Sequence, residues 1–148
     1  EEESVTRLSR VGFENVQGHL QGGFATWLAA GKEADVVDRI TAEEFAAQVN
    51  VKEDKVIDIR KDTEYAAEHV DEAYNKPLAM INEWVKDINP EEHFFIHCAG
   101  GYRSMIAASI LQARGYRNFT EIAGGFADIS KTNVAKTDFV CQTKIMQA

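Results

Sequence analysis

The residue in this sequence best placed to do chemistry is Cys98. It closes the apolar run His93-Phe94-Phe95-Ile96-His97, which reads as a buried strand, and opens the loop Cys98-Ala99-Gly100-Gly101-Tyr102-Arg103. Two adjacent glycines let the backbone curl until several N–H groups converge, forming an anion-binding nest. A helix starting near Arg103 adds the positive end of its dipole, and Arg103 adds a full charge. A thiol of ordinary pKa, about 8.5, drops by one to several units in such surroundings, leaving a thiolate nucleophile at neutral pH. A cysteine that only packs in a core needs neither the Gly-Gly loop nor the arginine. The spacing therefore predicts Cys98 as nucleophile, with Ala99, Gly100, Gly101, Tyr102 and Arg103 around its substrate.

Other polar residues have humbler expected roles. Asp58 and Arg60 end the run Lys55-Val56-Ile57-Asp58-Ile59. They are expected to support the site structurally, with Arg60 bonding Glu64, and Ser104 is expected to support the loop. His97 precedes Cys98 on a strand, so its side chain points to the opposite face and a general-base role is disfavoured. His69 is expected to shape its loop. Tyr102 stands open between lining the pocket mouth and contacting substrate. Cys141, among Lys136, Thr137, Asp138 and Gln142, is read as incidental rather than as a resolving thiol.

The elements that must position Cys98 follow from periodicity. Thr41-Ala42-Glu43-Glu44 is a capping box opening a helix through Val49. Strands are expected at 55–59, 73–75, 93–97 and 118–122, with a lead-in at Val36-Val37. Helices are expected over 62–68, over a segment carrying Ile81, Trp84, Val85 and Ile88 until Asn89-Pro90 stops it, and over 104–114, ended by Gly115. Alternation of this kind predicts a mostly parallel sheet with helices on both faces, and such sheets bind ligands at the carboxyl ends of their strands. Cys98 lies at one of those ends.

Composition narrows the function classes. With 148 residues there is room for one α/β domain and a fragment more. Net charge is −8 and no basic patch is visible, which argues against a nucleic-acid partner. No apolar run approaches the roughly 20 residues of a membrane span. Two cysteines and four histidines, without CxxC, HExxH or HxH spacing, predict no metal, and no cofactor is expected. A reducing cytoplasm is the default location for such a chain.

Two segments resemble each other: Gly12-Phe13-Glu14-Asn15-Val16 with Leu20-Gln21-Gly22-Gly23-Phe24-Ala25-Thr26-Trp27, and Gly115-Tyr116-Arg117-Asn118-Phe119 with Ile122-Ala123-Gly124-Gly125-Phe126-Ala127-Asp128-Ile129. Each reads as strand, Gly-Gly turn and helix, which suggests duplication. Residues 1–34 are accordingly expected to be the closing piece of an upstream sister domain plus linker. Residues 35–131 form the main domain, and 132–148 a C-terminal tail. The upstream domain of the same parent chain is an expected partner.

The motifs taken together resemble the rhodanese family. Cysteine, four residues, then Arg103-Ser104 and an alanine-rich helix is similar to its active-site loop. Val56-Ile57-Asp58-Ile59-Arg60 with Glu64-Tyr65 is similar to its Asp-x-Arg strand. Glu68-His69-Val70-Asp71-Glu72-Ala73-Tyr74-Asn75-Lys76-Pro77 is similar to its Gly-His-Ile-x-Gly-Ala-x-Asn-x-Pro stretch, and Gly124-Gly125-Phe126 to its closing element. The resemblance implies a rhodanese-like α/β fold, a five-stranded parallel sheet flanked by helices on both faces. It also implies sulfurtransferase activity, with sulfur carried as a Cys98 persulfide from a small donor (persulfide, polysulfide or thiosulfate) to a thiol or other nucleophilic acceptor. Phosphatases of the same fold carry one more loop residue, which makes that reading the weaker one. A sulfur-carrying or regulatory module is the alternative, since Ala-Gly-Gly-Tyr-Arg-Ser is also similar to rhodanese modules fused behind metallo-β-lactamase-like hydrolases. Two departures stand out. Glu68 and Glu72 replace family glycines, so the local turn is expected to differ if either needs a positive φ. The neutral loop also suits a persulfide or polysulfide donor better than thiosulfate.

Overall fold

The computed structural model describes residues 2–10, 12 and 14–141. The chain divides into two compact units, Glu1–Val36 and Val37–Ala148. The first contains helices α1 (Glu2–Ser9) and α2 (Gly23–Ala29). Its Gly22-Gly23 turn has φ of 77° and 63°, close to the 73° and 56° of Gly124-Gly125, and a helix follows each pair. The two copies thus share a Gly-Gly turn and helix. The strand expected before the first turn is absent among the described residues, and Phe13 of that copy lies outside them.

The second unit is built on a parallel five-stranded sheet in the order β1-β5-β4-β2-β3. The strands are β1 (Arg39–Ile40), β2 (Lys55–Asp58), β3 (Tyr74–Asn75), β4 (Phe94–His97) and β5 (Phe119–Ile122). Each face of the sheet is apolar, as a parallel sheet between helices requires. On one face Ile57, Phe94, Ile96, Cys98 and Phe119 pack against α5 (Ile81–Trp84) and α6 (Tyr102–Ala113). On the other Val56, Phe95 and Ile122 pack with α3 (Ala42–Gln48) and α7 (Gly125–Ile129). The helix α4 (Asp62–Ala67) connects β2 to the loop before β3. The period-two alternation of β4 sends Cys98 toward α6 and His97 toward Phe126 of α7. Among the described residues no helix is long and apolar enough to cross a membrane.

Thr41 caps α3 through a full capping box with Glu44. The segment carrying Ile81, Trp84, Val85 and Ile88 is not one regular helix but three short turns, 3₁₀ at Leu78–Met80 and Val85–Asp87 around α5. Its apolar residues are buried nonetheless, because the spacing needed to reach the core survives the change of helix type. Of the expected tail, residues 132–140 pack on the domain. Val134 is buried, the amide of Asp71 donates to Ala135, that of Thr137 to His69 and that of Val140 to Ala67. Gln142 lies outside the described residues.

Glu68 and Glu72 behave differently from each other. Glu68 has φ −170°, an extended conformation open to any residue. Glu72 has φ 59°, the one positive value among described non-glycine residues. The turn that was expected to change therefore keeps its left-handed residue: Ala73 N–H closes on Val70 O at 3.1 Å, with Asp71 and Glu72 at the corner. A side chain there costs about 1–2 kcal/mol relative to a relaxed conformation. We expect Glu72→Gly to raise the free energy of unfolding by about 1 kcal/mol, after the extra chain entropy of glycine. A urea melt showing no gain would show that Glu72 makes compensating contacts.

Candidate active site

Cys98 sits where β4 ends, 1% exposed. Its Sγ accepts the Gly101 amide at 3.1 Å and lies 3.5 Å from Ser104 Oγ. Gly101 caps α6 with φ 92°, a conformation that aims its N–H back at the sulfur and that a side chain would resist. Burial pushes the Cys98 thiol up. The amides of Ser104, Gly100 and Gly101, and the Ser104 hydroxyl whenever its proton turns to the sulfur, pull it down and outweigh burial, so the thiol ionises below its ordinary value. Ala99 is half-buried, and Tyr102 is exposed.

A second backbone segment holds the loop in place. Phe126 N–H donates to Cys98 O at 2.7 Å and Ala127 N–H to Ala99 O at 2.9 Å. For this the Gly124-Gly125 turn must touch the loop backbone. A Cβ on Gly125 would lie 2.9 Å from the Ala99 carbonyl carbon and closer still to Cys98 O. Gly23 has nothing within 4 Å of its own Cβ position.

Arg103 does not stand as an unpaired charge over the sulfur. Its guanidinium grips Glu64 of α4 through two bonds of 2.7 and 2.8 Å. The bond to Arg103 holds the Glu64 carboxyl below its usual range. Arg60 therefore does not bond Glu64, contrary to expectation. It forks onto Asp58 with Nη2–Oδ2 at 2.6 Å, donates to Glu68 O at 2.8 Å, and lies 4.0 Å over the Phe126 ring. Asp58 and Arg60 are both buried and lie on the far side of the sheet from the sulfur, linking the loop after β2 to α7. His97, fully buried, directs Nδ1 to Cys98 O at 3.2 Å, while Nε2 has no partner and lies 4.0 Å from Asp58. Burial pushes its imidazole pKa down against the pull of Asp58. His69 stacks on Tyr65 and bonds Tyr65 O through Nδ1.

Two residues the sequence reading passed over complete the site. Glu121, fully buried on β5, accepts Ser104 Oγ at 2.6 Å and pairs with Arg39 at 2.6 Å. Arg39, at the start of β1, reaches the loop, with Nη2 3.3 Å from a Cβ built on Gly101. The available signal was a carboxylate on the same strand face as Phe119, where an apolar side chain is expected. Among the described residues no group of three or more His, Cys, Asp or Glu side chains is placed to hold a metal ion.

A family model described as a rhodanese-like domain matches residues 41–132, more than half of the chain. The chain is similar to thiosulfate sulfurtransferase PspE of Escherichia coli, 35% identical over 80 residues, which are 53% of this chain and 76% of that protein. It is similar to YrkF of Bacillus subtilis, 24% identical over 100 residues. That match takes in 67% of this chain and 54% of YrkF, so the chain spans about half the length of that relative. The solved rhodanese-related protein of Thermoplasma volcanium shares the fold, with TM-score 0.60 and 23% identity over 68% of this chain and 97% of that one.

The Gly125 contact gives a direct test of how the loop is held. Gly125→Ala must move either the turn or Cys98-Ala99, at a cost of about 2 kcal/mol or more from lost hydrogen bonds and backbone strain. We expect lower stability and a slower-reacting Cys98. Gly23→Ala, in the matching turn with open space, carries only the strain of its positive φ. Equal effects at both sites would show that the loop contact is unimportant.

Proposed function

The chain belongs to the rhodanese-like domain family, and from that premise we propose that it is a sulfurtransferase carrying sulfane sulfur as a persulfide on Cys98. The observation that supports this most directly is the aim of the Gly101 amide at Sγ, 3.1 Å away, beneath a loop of only four residues between Cys98 and Arg103. In the first half-reaction the Cys98 thiolate attacks the terminal sulfur of a donor R–S–SH. The new S–S bond forms as the old one breaks, and R–S⁻ leaves. In the second, an acceptor thiolate attacks the outer sulfur, carries it away as R′–S–SH, and the Cys98 thiolate departs. Both halves place negative charge on Cys98 Sγ or the sulfur beside it, where preorganised amides are effective. A cysteine that is 1% exposed is reached by a slim terminal atom more readily than by a branched tetrahedral phosphate.

The donor is best read as an organic persulfide or polysulfide. Thiosulfate brings two charges, and the nearest arginines are committed to carboxylates, Arg103 to Glu64 and Arg39 to Glu121. The loop likeness to modules behind metallo-β-lactamase-like hydrolases supports the same donor class. On this reading the protein is a sulfur-handling part of a larger chain, with the upstream domain and a thiol acceptor as partners.

Two measurements test the reading. Intact-mass spectrometry after treatment with glutathione persulfide should show one added sulfur, lost on adding a thiol. Cys98→Ser should show none while keeping its fold, because a serine hydroxyl is a far weaker nucleophile at neutral pH. A persulfide still forming in Cys98→Ser would overturn the assignment. Glu64→Gln leaves Arg103 with an uncompensated charge, so the kcat/KM for thiosulfate relative to glutathione persulfide should rise about fivefold. An unchanged ratio would remove the charge argument for donor choice.

A further inference from the structure

Ser104 faces three groups with one proton to give. Its Oγ lies 2.6 Å from Glu121 Oε1, 3.0 Å from Gly101 O and 3.5 Å from Cys98 Sγ. A hydroxyl has a single donor and two lone pairs. A hydroxyl bonded to a carboxylate at about 2.5–2.7 Å makes a charge-assisted bond roughly twice as strong as a neutral one. The Ser104 proton therefore belongs to Glu121, and what Ser104 turns toward the sulfur is a lone pair. That arrangement suits Cys98 as S–H, which donates to Oγ. It does not suit a thiolate, which needs the Ser104 proton for itself.

Glu121 has no packing reason to be where it is. It occupies the α6 face of β5, in register with Ile96 of β4, among apolar side chains and with no exposure. Arg39 on its second oxygen keeps it in place.

We propose that Glu121 is a positioning residue that competes with Cys98 for the one hydroxyl proton of Ser104 and so governs how readily the sulfur ionises. When the sulfur is a thiol, the chain of bonds runs S–H to Oγ, then O–H to Glu121. When the thiolate forms, Ser104 swings its O–H to the sulfur and Glu121 loses a bond, which couples the charge on sulfur to the carboxylate. The other charged or titratable groups around the loop have partners of their own: Arg103 with Glu64, Arg60 with Asp58, and His97 through Nδ1 to Cys98 O. Among the described residues the Glu121 carboxylate is the one that reaches the sulfur through a hydroxyl.

The inference deepens the Cys98 reading, and its test uses no sulfur donor, so either can fail without the other. The measurement is the pH dependence of Cys98 alkylation by iodoacetamide in wild type, Glu121→Gln, Ser104→Ala and the double variant, with peptide mapping to separate Cys141. In Glu121→Gln, the amide oxygen faces Arg39 and the NH₂ faces Ser104 Oγ. Ser104 then gains a donor and its own proton is free for the sulfur. We expect the Cys98 transition to fall by about one pH unit, a tenfold gain in thiolate well below it. In the Ser104→Ala background the same Glu121→Gln change should move the transition by less than a third as much. Equal shifts in both backgrounds would mean that Glu121 acts through space as a charge, and no shift in either that it serves only to hold Arg39; each outcome overturns the proposal. Ser104→Ala alone decides the matter if Glu121→Gln fails to fold. With the hydroxyl proton held by Glu121, removing the hydroxyl should leave the Cys98 transition within about 0.3 units of wild type, whereas a rise of a unit or more would show Ser104 donating to sulfur in the native enzyme and refute the competition.

Discussion

The carbonyl oxygens of Cys98 and Ala99 end on the amides of Phe126 and Ala127, and only a glycine at 125 lets the two backbones come that close. Much else in the site depends on this contact. It joins the end of β4 to the turn after β5, so the nest is fixed by the two neighbouring strands and not by the loop's own residues. With its carbonyls bonded behind it, the loop turns the Gly101 N–H toward Sγ. The nest is thus a consequence of strand order: β4 and β5 are adjacent, and a Gly-Gly turn follows the second of them.

Charge around the sulfur is arranged by subtraction. Both arginines near the loop are bound to carboxylates on other elements, Arg103 to α4 and Arg39 to β5. These pairs tie four elements around Cys98, and they cancel most of the positive potential that arginines would otherwise supply. Lowering of the thiol pKa is left to hydrogen bonds, which act over one bond length and do not attract dianions from solution. An ionised sulfur with little net positive field around it suits a reactant of low charge.

The sheet, its helices and the position of Cys98 were legible in the sequence because each is encoded locally. The apolar run into Cys98, the Thr41–Glu44 capping box and the Gly-Gly turns each carry their signal within a few residues. The partnerships were not. Arg60 sits four residues from Glu64, and that spacing suggested a pair. The backbone instead turns Arg60 back onto Asp58, and Arg103, 39 positions on, takes Glu64. Arg39 and Glu121 are 82 positions apart and meet only because β1 and β5 are neighbours in the sheet. The broken helix at 78–87 was illegible for a different reason, since apolar spacing of three and four residues fits α and 3₁₀ turns alike over so short a span.

The alternation of β4 explains why the site needs polar groups on both faces of a sheet that is otherwise apolar. Cys98 points to the α6 face, where Ser104, Glu121 and Arg39 receive it. His97 points to the α7 face, where Asp58 and Arg60 lie and Phe126 stacks. Each cluster buries charge, and breaking either by removing one partner leaves the other desolvated and unpaired. Each also touches the loop: one through the sulfur, the other through the carbonyl of Cys98, which accepts from both His97 and Phe126. The strand end is therefore gripped from two sides by groups that tolerate little displacement, whereas an apolar contact can slide. The proposed sulfur transfer by in-line attack would draw on that rigidity, because a shift of about 1 Å in the nucleophile misaligns the S–S bond being formed with the one being broken.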